Sequence, residues 1–117
     1  MIYTIFSYTS VLQNTSIRDG GVIILFYMTM NYKNIERLIK GVANHNRLKI
    51  LELLAQQPEL SVMDISYKLK IGYENASDHI RKMAIAGLLM KRSDGPNVRH
   101  KLTPRAIAIL AFCKRLK

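Results

Sequence analysis

The sequence holds one cysteine, Cys113, in 117 residues. A lone thiol excludes an intramolecular disulfide, and His and Cys nowhere stand at zinc-ligand spacing, so neither a covalent staple nor a zinc finger is expected to organise the fold. A reducing, cytoplasmic setting fits that usage. Acidic residues are scarce: 8 Asp and Glu face 18 Lys and Arg, for a formal charge of +10 and a pI near 10.0. Long hydrophobic runs are missing too. The run Val22 to Met28 is far shorter than the ~20 residues needed to cross a bilayer. No basic segment leads into it and no small-residue cleavage pattern follows, which argues against a signal peptide. Nucleophile, base and oxyanion donors converge nowhere in the sequence. The expectation is a protein that is not an enzyme and carries no metal or cofactor.

What is present is a hydrophobic content of 49% in a chain of ordinary single-domain length, enough for one compact core. The charge is uneven. Residues 1–30 contain only Arg18 and Asp19, so the whole excess falls in residues 31–117. A polyanionic partner is implied, with nucleic acid ahead of an anionic membrane surface. Residues 1–30 therefore read as an N-terminal extension. It is an added element packing on the domain or its mate, a membrane-surface tether, or sequence translated upstream of the true start.

From Asn31 onward the apolar residues fall into helical register. Ile35, Leu38, Ile39, Val42 and Ala43 define a first amphipathic helix ending near Asn44. Leu48, Ile50, Leu51, Leu53 and Leu54 define a second, more buried one that must stop before Pro58. Residues 57–60 form a turn. Ser61 followed by Asp64 is a helix N-cap signature, and Val62, Ile65 and Leu69 give that third helix its apolar stripe. Gly72 is the expected sharp turn before a fourth helix starting near Glu74. In it Ala76, Ile80, Met83, Ala84 and Leu88 share one side, and Glu74, Asn75, Asp78, Arg81 and Lys82 the other.

Gly87 ends that helix, and two strands flanking Ser93–Asn97 read as a β-hairpin, with Val98 and Leu102 inward and Arg99 and Lys101 outward. Thr103-Pro104 restarts a helix by cap and proline. This last helix is apolar nearly all round, with Ile107, Leu110 and Ala111 on one side and Ile109, Phe112 and Leu116 on the other, so it needs two partners. Its own domain supplies one and a second copy the other. The fold class is mainly α with a small hairpin: a winged helix-turn-helix of about five helices plus the wing, occupying residues 31–117.

The stretches Ala43-Asn-His-Asn-Arg-Leu-Lys-Ile-Leu-Glu-Leu-Leu54 and Ser77-Asp-His-Ile-Arg-Lys-Met-Ala-Ile-Ala-Gly-Leu88, with the Gly95 hairpin, resemble the ArsR-type winged-helix repressors over residues 35–116. MarR-type and other prokaryotic winged-helix regulators are near alternatives. The resemblance implies a homodimer that binds double-stranded DNA through the fourth helix. Metal-sensing members carry Cys-Val-Cys-Asp on the third helix, where this chain reads Ser61-Val62-Met63-Asp64. A hydroxyl and a thioether are poor replacements for two thiolates at a soft cation. The resemblance thus supports the DNA-binding half of the family's function and leaves the metal-sensing half without ligands.

Carried over by position, the groove-facing set is Glu74, Asn75, Ser77, Asp78, Arg81 and Lys82, with Lys68 and Lys70 on phosphates and Arg92, Arg99 and Lys101 on the wing. The competing reading of the helix set is a solvated helix face, and of the wing cations mere solubility. Dimerisation falls to Ile35, Leu38, Ile39, Ile109, Phe112, Cys113 and Leu116. His79 and His100 are expected to be packed or hydrogen-bonded rather than metal ligands, His45 to cap its helix, and Cys113 to act as a small hydrophobe. A rival function is a winged-helix protein-interaction module of the transcription machinery.

Overall fold

The computed structural model describes residues 30–116, so the expectations for residues 1–29 lie outside the described part. Five helices and one hairpin follow in order: α1 (Tyr32–Val42), α2 (His45–Gln56), α3 (Val62–Leu69), α4 (Tyr73–Ile85), β1 (Leu89–Asp94), β2 (Asn97–Leu102) and α5 (Pro104–Lys114).

Three helix starts, those of α2, α3 and α5, have a side-chain cap. Asn44, not His45, caps α2, its side chain accepting the backbone N–H groups of Asn46 and Arg47 at 2.9 and 3.3 Å. Histidine at the first helical position has no such geometry, which corrects the expected role of His45. Ser61 and Asp64 form a reciprocal capping box on α3, at 3.1 and 3.2 Å. Those bonds from Ser61 hold the Asp64 carboxyl below the usual carboxylate range. Thr103 caps α5 by accepting from Ala106 N–H at 3.3 Å while its hydroxyl donates to the Gly87 carbonyl at 2.7 Å.

The core is the meeting of α2, α3, α4 and the base of the hairpin. Ile50, Leu51 and Leu54 pack with Ile65, Ile80, Met83, Leu88, Leu89, Leu102 and Ala106 in one buried cluster. Burying one such large side chain contributes roughly 1.5–3 kcal/mol, so this cluster is the main force holding the helices at their angles. Leu48, expected inside, lies on the exposed side of α2.

The turns differ from expectation at one point. The left-handed residue between α3 and α4 is Lys70 (φ 55°), not Gly72, which is extended at φ −59°, ψ 146° and caps α4. Ile71 N–H reaches back to the Ser66 carbonyl at 3.1 Å and the Ser66 hydroxyl donates to the Ile71 carbonyl at 2.6 Å, so backbone and side chain together close this turn. Gly87 (φ 85°) does end α4 as expected: its N–H bonds Ala84 O and that of Leu88 bonds Met83 O, the paired bonds of a Schellman motif.

The hairpin is antiparallel, Leu89 facing Leu102 and Asp94 facing Asn97, closed by Gly95 (φ 61°) and Pro96. Val98 is exposed and His100 is the buried residue beside Leu102, so the inward pair is His100 and Leu102. The reason is a third short pairing: Glu59 and Leu60 exchange backbone bonds with His100 at 2.9 Å each, and His100 Nδ1 lies 2.9 Å from the Leu60 carbonyl. An apolar valine in that place would leave the Leu60 carbonyl without this second donor.

Gly87→Ala should cost about 1 kcal/mol, because alanine resists positive φ, whereas Gly72→Ser should raise stability by a few tenths of a kcal/mol through a new cap, both read as urea midpoints. Burial holds the His100 imidazole below its ordinary 6.5, against the opposing bond to Leu60. The folded state thus favours neutral histidine, so this contribution is complete above 6.5 and is lost as pH falls below it. His100→Gln, which keeps a donor, should flatten the decline of the urea midpoint between about pH 7 and 5, His79 supplying what remains.

Candidate nucleic-acid interface

The core presses one face of α4 inward, with Ala76, Ile80 and Met83 buried, and turns the other face out. Glu74, Asn75, Arg81 and Lys82 are exposed, and Ser77 and Asp78 half-exposed. All six expected groove residues therefore share the outer side of one helix, which α3 and the Lys70 turn set at the surface. Lys68 and Lys70 are exposed on the adjoining α3 end.

The acid among them is already engaged. Asp78 accepts from Arg81 at 2.6 Å and from Lys82 at 2.9 Å, an intrahelical cluster at i+3 and i+4. Hydrogen bonds from Lys82 and then Arg81 keep its carboxyl below the usual range. Asp78 thus pairs with both neighbouring cations on the outer face of α4.

The wing cations divide in two. Arg92 pairs with Glu59 at 3.1 Å. Arg99, the less exposed, pairs with Asp94 at 3.0 Å, donates to the Glu59 carbonyl at 3.2 Å and reaches Asp64 at 3.9 Å. It ties the wing to the start of α3. Lys101 and Lys91 lie exposed, and neither takes part in the ion pairs of the described residues.

Sequence reasoning missed two aromatic rings near this face. Tyr67, at 84% exposure, stands at the end of α3, and Tyr73, also exposed, in the first turn of α4. Both interrupt otherwise polar positions, a signal visible in the sequence.

His79 is packed as expected, its Nδ1 accepting from Arg47 Nε at 3.2 Å. Burial, then the neighbouring Arg47, keeps its imidazole below its ordinary value. Among the described residues no group of three or more His, Cys, Asp or Glu could hold a metal ion. Of the two positions matching the sensor thiolates, Ser61 is committed with Asp64 to the capping box, and Met63 is exposed.

The dimerisation set is only partly exposed. Ile39, Phe112 and Leu116 are 58%, 61% and 66% exposed, and Ile35 is exposed as well. Leu38 and Ile109 instead pack on the core, and Cys113 is half-buried. On α5 the inward side is Ala106, Ile109 and Leu110, while Ile107 and Ala111 face out. The turn from Thr103 over Gly87 sets this rotation, which the apolar pattern of α5 could not define because it has almost no polar side. No helix of the described residues is long and apolar enough to cross a membrane.

A helix-turn-helix whose second helix shows a polar outer face, followed by a basic two-stranded wing, defines a winged helix-turn-helix protein. Comparison with known proteins gives the family. The profile described as "Bacterial regulatory protein, arsR family" matches residues 44–91. The arsenic resistance transcriptional regulator ArsR1 of Pseudomonas putida is 30% identical over 67 residues, 57% of this chain and 52% of that protein, so the match spans about half of that regulator's length. The transcriptional regulator HlyU of Vibrio vulnificus is 30% identical with a TM-score of 0.63, over 79% of this chain and 96% of that one. The homodimeric winged helix-turn-helix DNA-binding domain Mb0332 of Mycobacterium bovis shares the fold at 22% identity and a TM-score of 0.66, over 87% and 89%. Residues 44–91 thus carry the helix-turn-helix domain of the arsR family of bacterial regulatory proteins.

The two kinds of wing cation are separable by experiment. Arg99→Gln should lower unfolding free energy by about 1 kcal/mol, since it removes donors to a backbone carbonyl and a carboxylate. Lys101→Gln should stay within about 0.5 kcal/mol of the parent in the same urea titration.

Proposed function

We propose that the protein is a homodimeric, sequence-specific double-stranded DNA-binding repressor of transcription, working in the cytoplasm from residues 31–117. The observation that carries this reading is Lys70. A lysine in left-handed backbone costs roughly 1–2 kcal/mol relative to a residue without that penalty, and glycine would remove the strain. Retaining a long cation at the turn between the two helices is accounted for if its ammonium binds a phosphate.

In this reading Lys68, Lys70 and Lys101 hold the backbone and supply affinity that falls steeply with salt. Asn75 and Ser77, at the outward start of α4, address base edges, with Asn75 suited to a bidentate bond with adenine. Arg81 and Lys82 take phosphate or guanine on release from Asp78. Exposed Ile35, Ile39, Phe112 and Leu116, joined by Ile107, supply the apolar surface of a twofold mate. Mb0332, described as homodimeric, supports that assembly by its fold. With Ser61 and Met63 in place of thiolates, repression does not answer to a soft metal at α3.

Lys70→Gly should raise unfolding free energy by up to about 1 kcal/mol while weakening duplex binding on preferred and scrambled sequences alike and lowering the salt slope by about one. Asn75→Ala should instead cost about 1–3 kcal/mol on the preferred duplex only. Titration by fluorescence anisotropy at two salt concentrations reads both. Unchanged duplex affinity in Lys70→Gly and in Arg81→Ala/Lys82→Ala would favour the protein-interaction module instead.

A further inference from the structure

Five of the chain's cations surround one cleft away from the outward start of α4. It has a volume of about 360 Å³ and lies between α1, the start of α2 and the second half of α4. Lys33, Arg37 and Lys40 line it from α1, Arg47 from α2 and Lys82 from α4, against a single carboxylate, Glu36. Gly41, Ile85 and Ala86 complete its lining.

Two features show that this is more than crowding of surface lysines. The first is Gly41. A Cβ there would stand 2.6 Å from Ala86 Cβ and 3.1 Å from Leu88 Cδ1, so the missing side chain lets α1 lie against the end of α4 and brings the charges of three helices to one place. The second is Arg47, whose guanidinium is half-buried and fixed at two points. Nε donates to His79 Nδ1 at 3.2 Å and Nη1 to the Lys40 carbonyl at 3.1 Å, and among the described residues the rest of its donor fork is left for another acceptor.

The fold gains nothing from this concentration of charge. Lys33 and Arg37 are like charges at i and i+4, which oppose helix formation by a few tenths of a kcal/mol. Glu36 reaches Lys40 at 3.2 Å and Lys33 at 4.0 Å in exposed pairs of small worth, and Arg37 takes part in none of the ion pairs among the described residues. A bound oxyanion carrying two or more charges would reverse the sign of these repulsions, and a planar guanidinium suits its oxygens.

We propose that the cleft of Lys33, Arg37, Lys40, Arg47 and Lys82 is a phosphate-binding site. The phosphate belongs either to the backbone of a bound duplex or to a soluble phosphorylated ligand, and the chemistry of recognition is the same in both. Lys82 couples the site to the recognition helix, because the cation that would meet the phosphate is the one now held by Asp78 at 2.9 Å.

The test is a titration of the full chain with pyrophosphate in phosphate-free buffer, followed by NMR. Saturable shifts should centre on Gly41, Ala86 and Arg47 Nε, and Arg37→Gln/Lys40→Gln should bind about tenfold more weakly, while Lys101→Gln/Lys114→Gln binds like the parent. Shifts spread evenly over Lys68, Lys101 and Lys114, or equal binding by the two double variants, would overturn the site. No duplex is needed for this, so its failure is independent of the DNA-binding reading. Duplex titrations of Arg37→Gln/Lys40→Gln then distinguish the source. A matched loss on preferred and scrambled sequences, with a shallower salt slope, assigns the phosphate to DNA. Unchanged duplex affinity alongside lost pyrophosphate binding assigns it to a soluble ligand.

Discussion

The burial of Ile50, Leu51 and Leu54 against Ile65, Ile80 and Met83 fixes where α4 points, and everything attributed to the surface depends on it. Polar side chains on a helix reach a groove only if the opposite face is held rigidly. Closely packed interiors provide that rigidity, since even one missing methylene in such a core is felt. The same cluster continues through Leu88, Leu89 and Leu102 into the hairpin, so helix and wing are oriented by one core.

Charge is arranged on that frame with different degrees of freedom. Arg99 and Arg92 are held by Glu59, Asp94 and Asp64, and Arg81 and Lys82 share Asp78. Lys68, Lys70, Lys91 and Lys101 stand exposed outside these pairs. Part of the net charge thus sets geometry, and part is available to an external polyanion. Glu59, at φ 70°, and Lys70, at φ 55°, are the two left-handed residues other than glycine in the described residues. One anchors the wing and the other lies between the two helices of the motif, so backbone strain falls at the two edges of the proposed DNA face.

Helix order, the capping box at Ser61, the proline start of α5 and the hairpin were legible because each rests on local chemistry or strong periodicity. The outer face of α4 was legible for the same reason, its apolar and polar residues separating cleanly. Three features were not. The rotation of α5 was hidden by a helix with almost no polar side, so Ile109 was placed outward and Ile107 inward, the reverse of their positions. Val98, His100 and Leu102 share one face of β2, but Val98 lies near the tip and is exposed, while His100 is buried where Glu59 and Leu60 pair with β2 across 40 residues, a contact no local pattern contains. The sharp turn falls not on Gly72 but on Lys70, where the Ser66 and Ile71 backbone and hydroxyl bonds close it. The cleft beside Gly41 was likewise invisible, its cations coming from three helices.

The central claim is that two copies of this domain read a specific duplex together. Selection of bound duplexes from a random pool, with native mass spectrometry of the selected complex, tests it most directly. The account predicts an enriched motif with two half-sites about one helical turn apart and two protein chains per duplex. A pool without an enriched motif, or a selected complex with one chain per duplex, would contradict it.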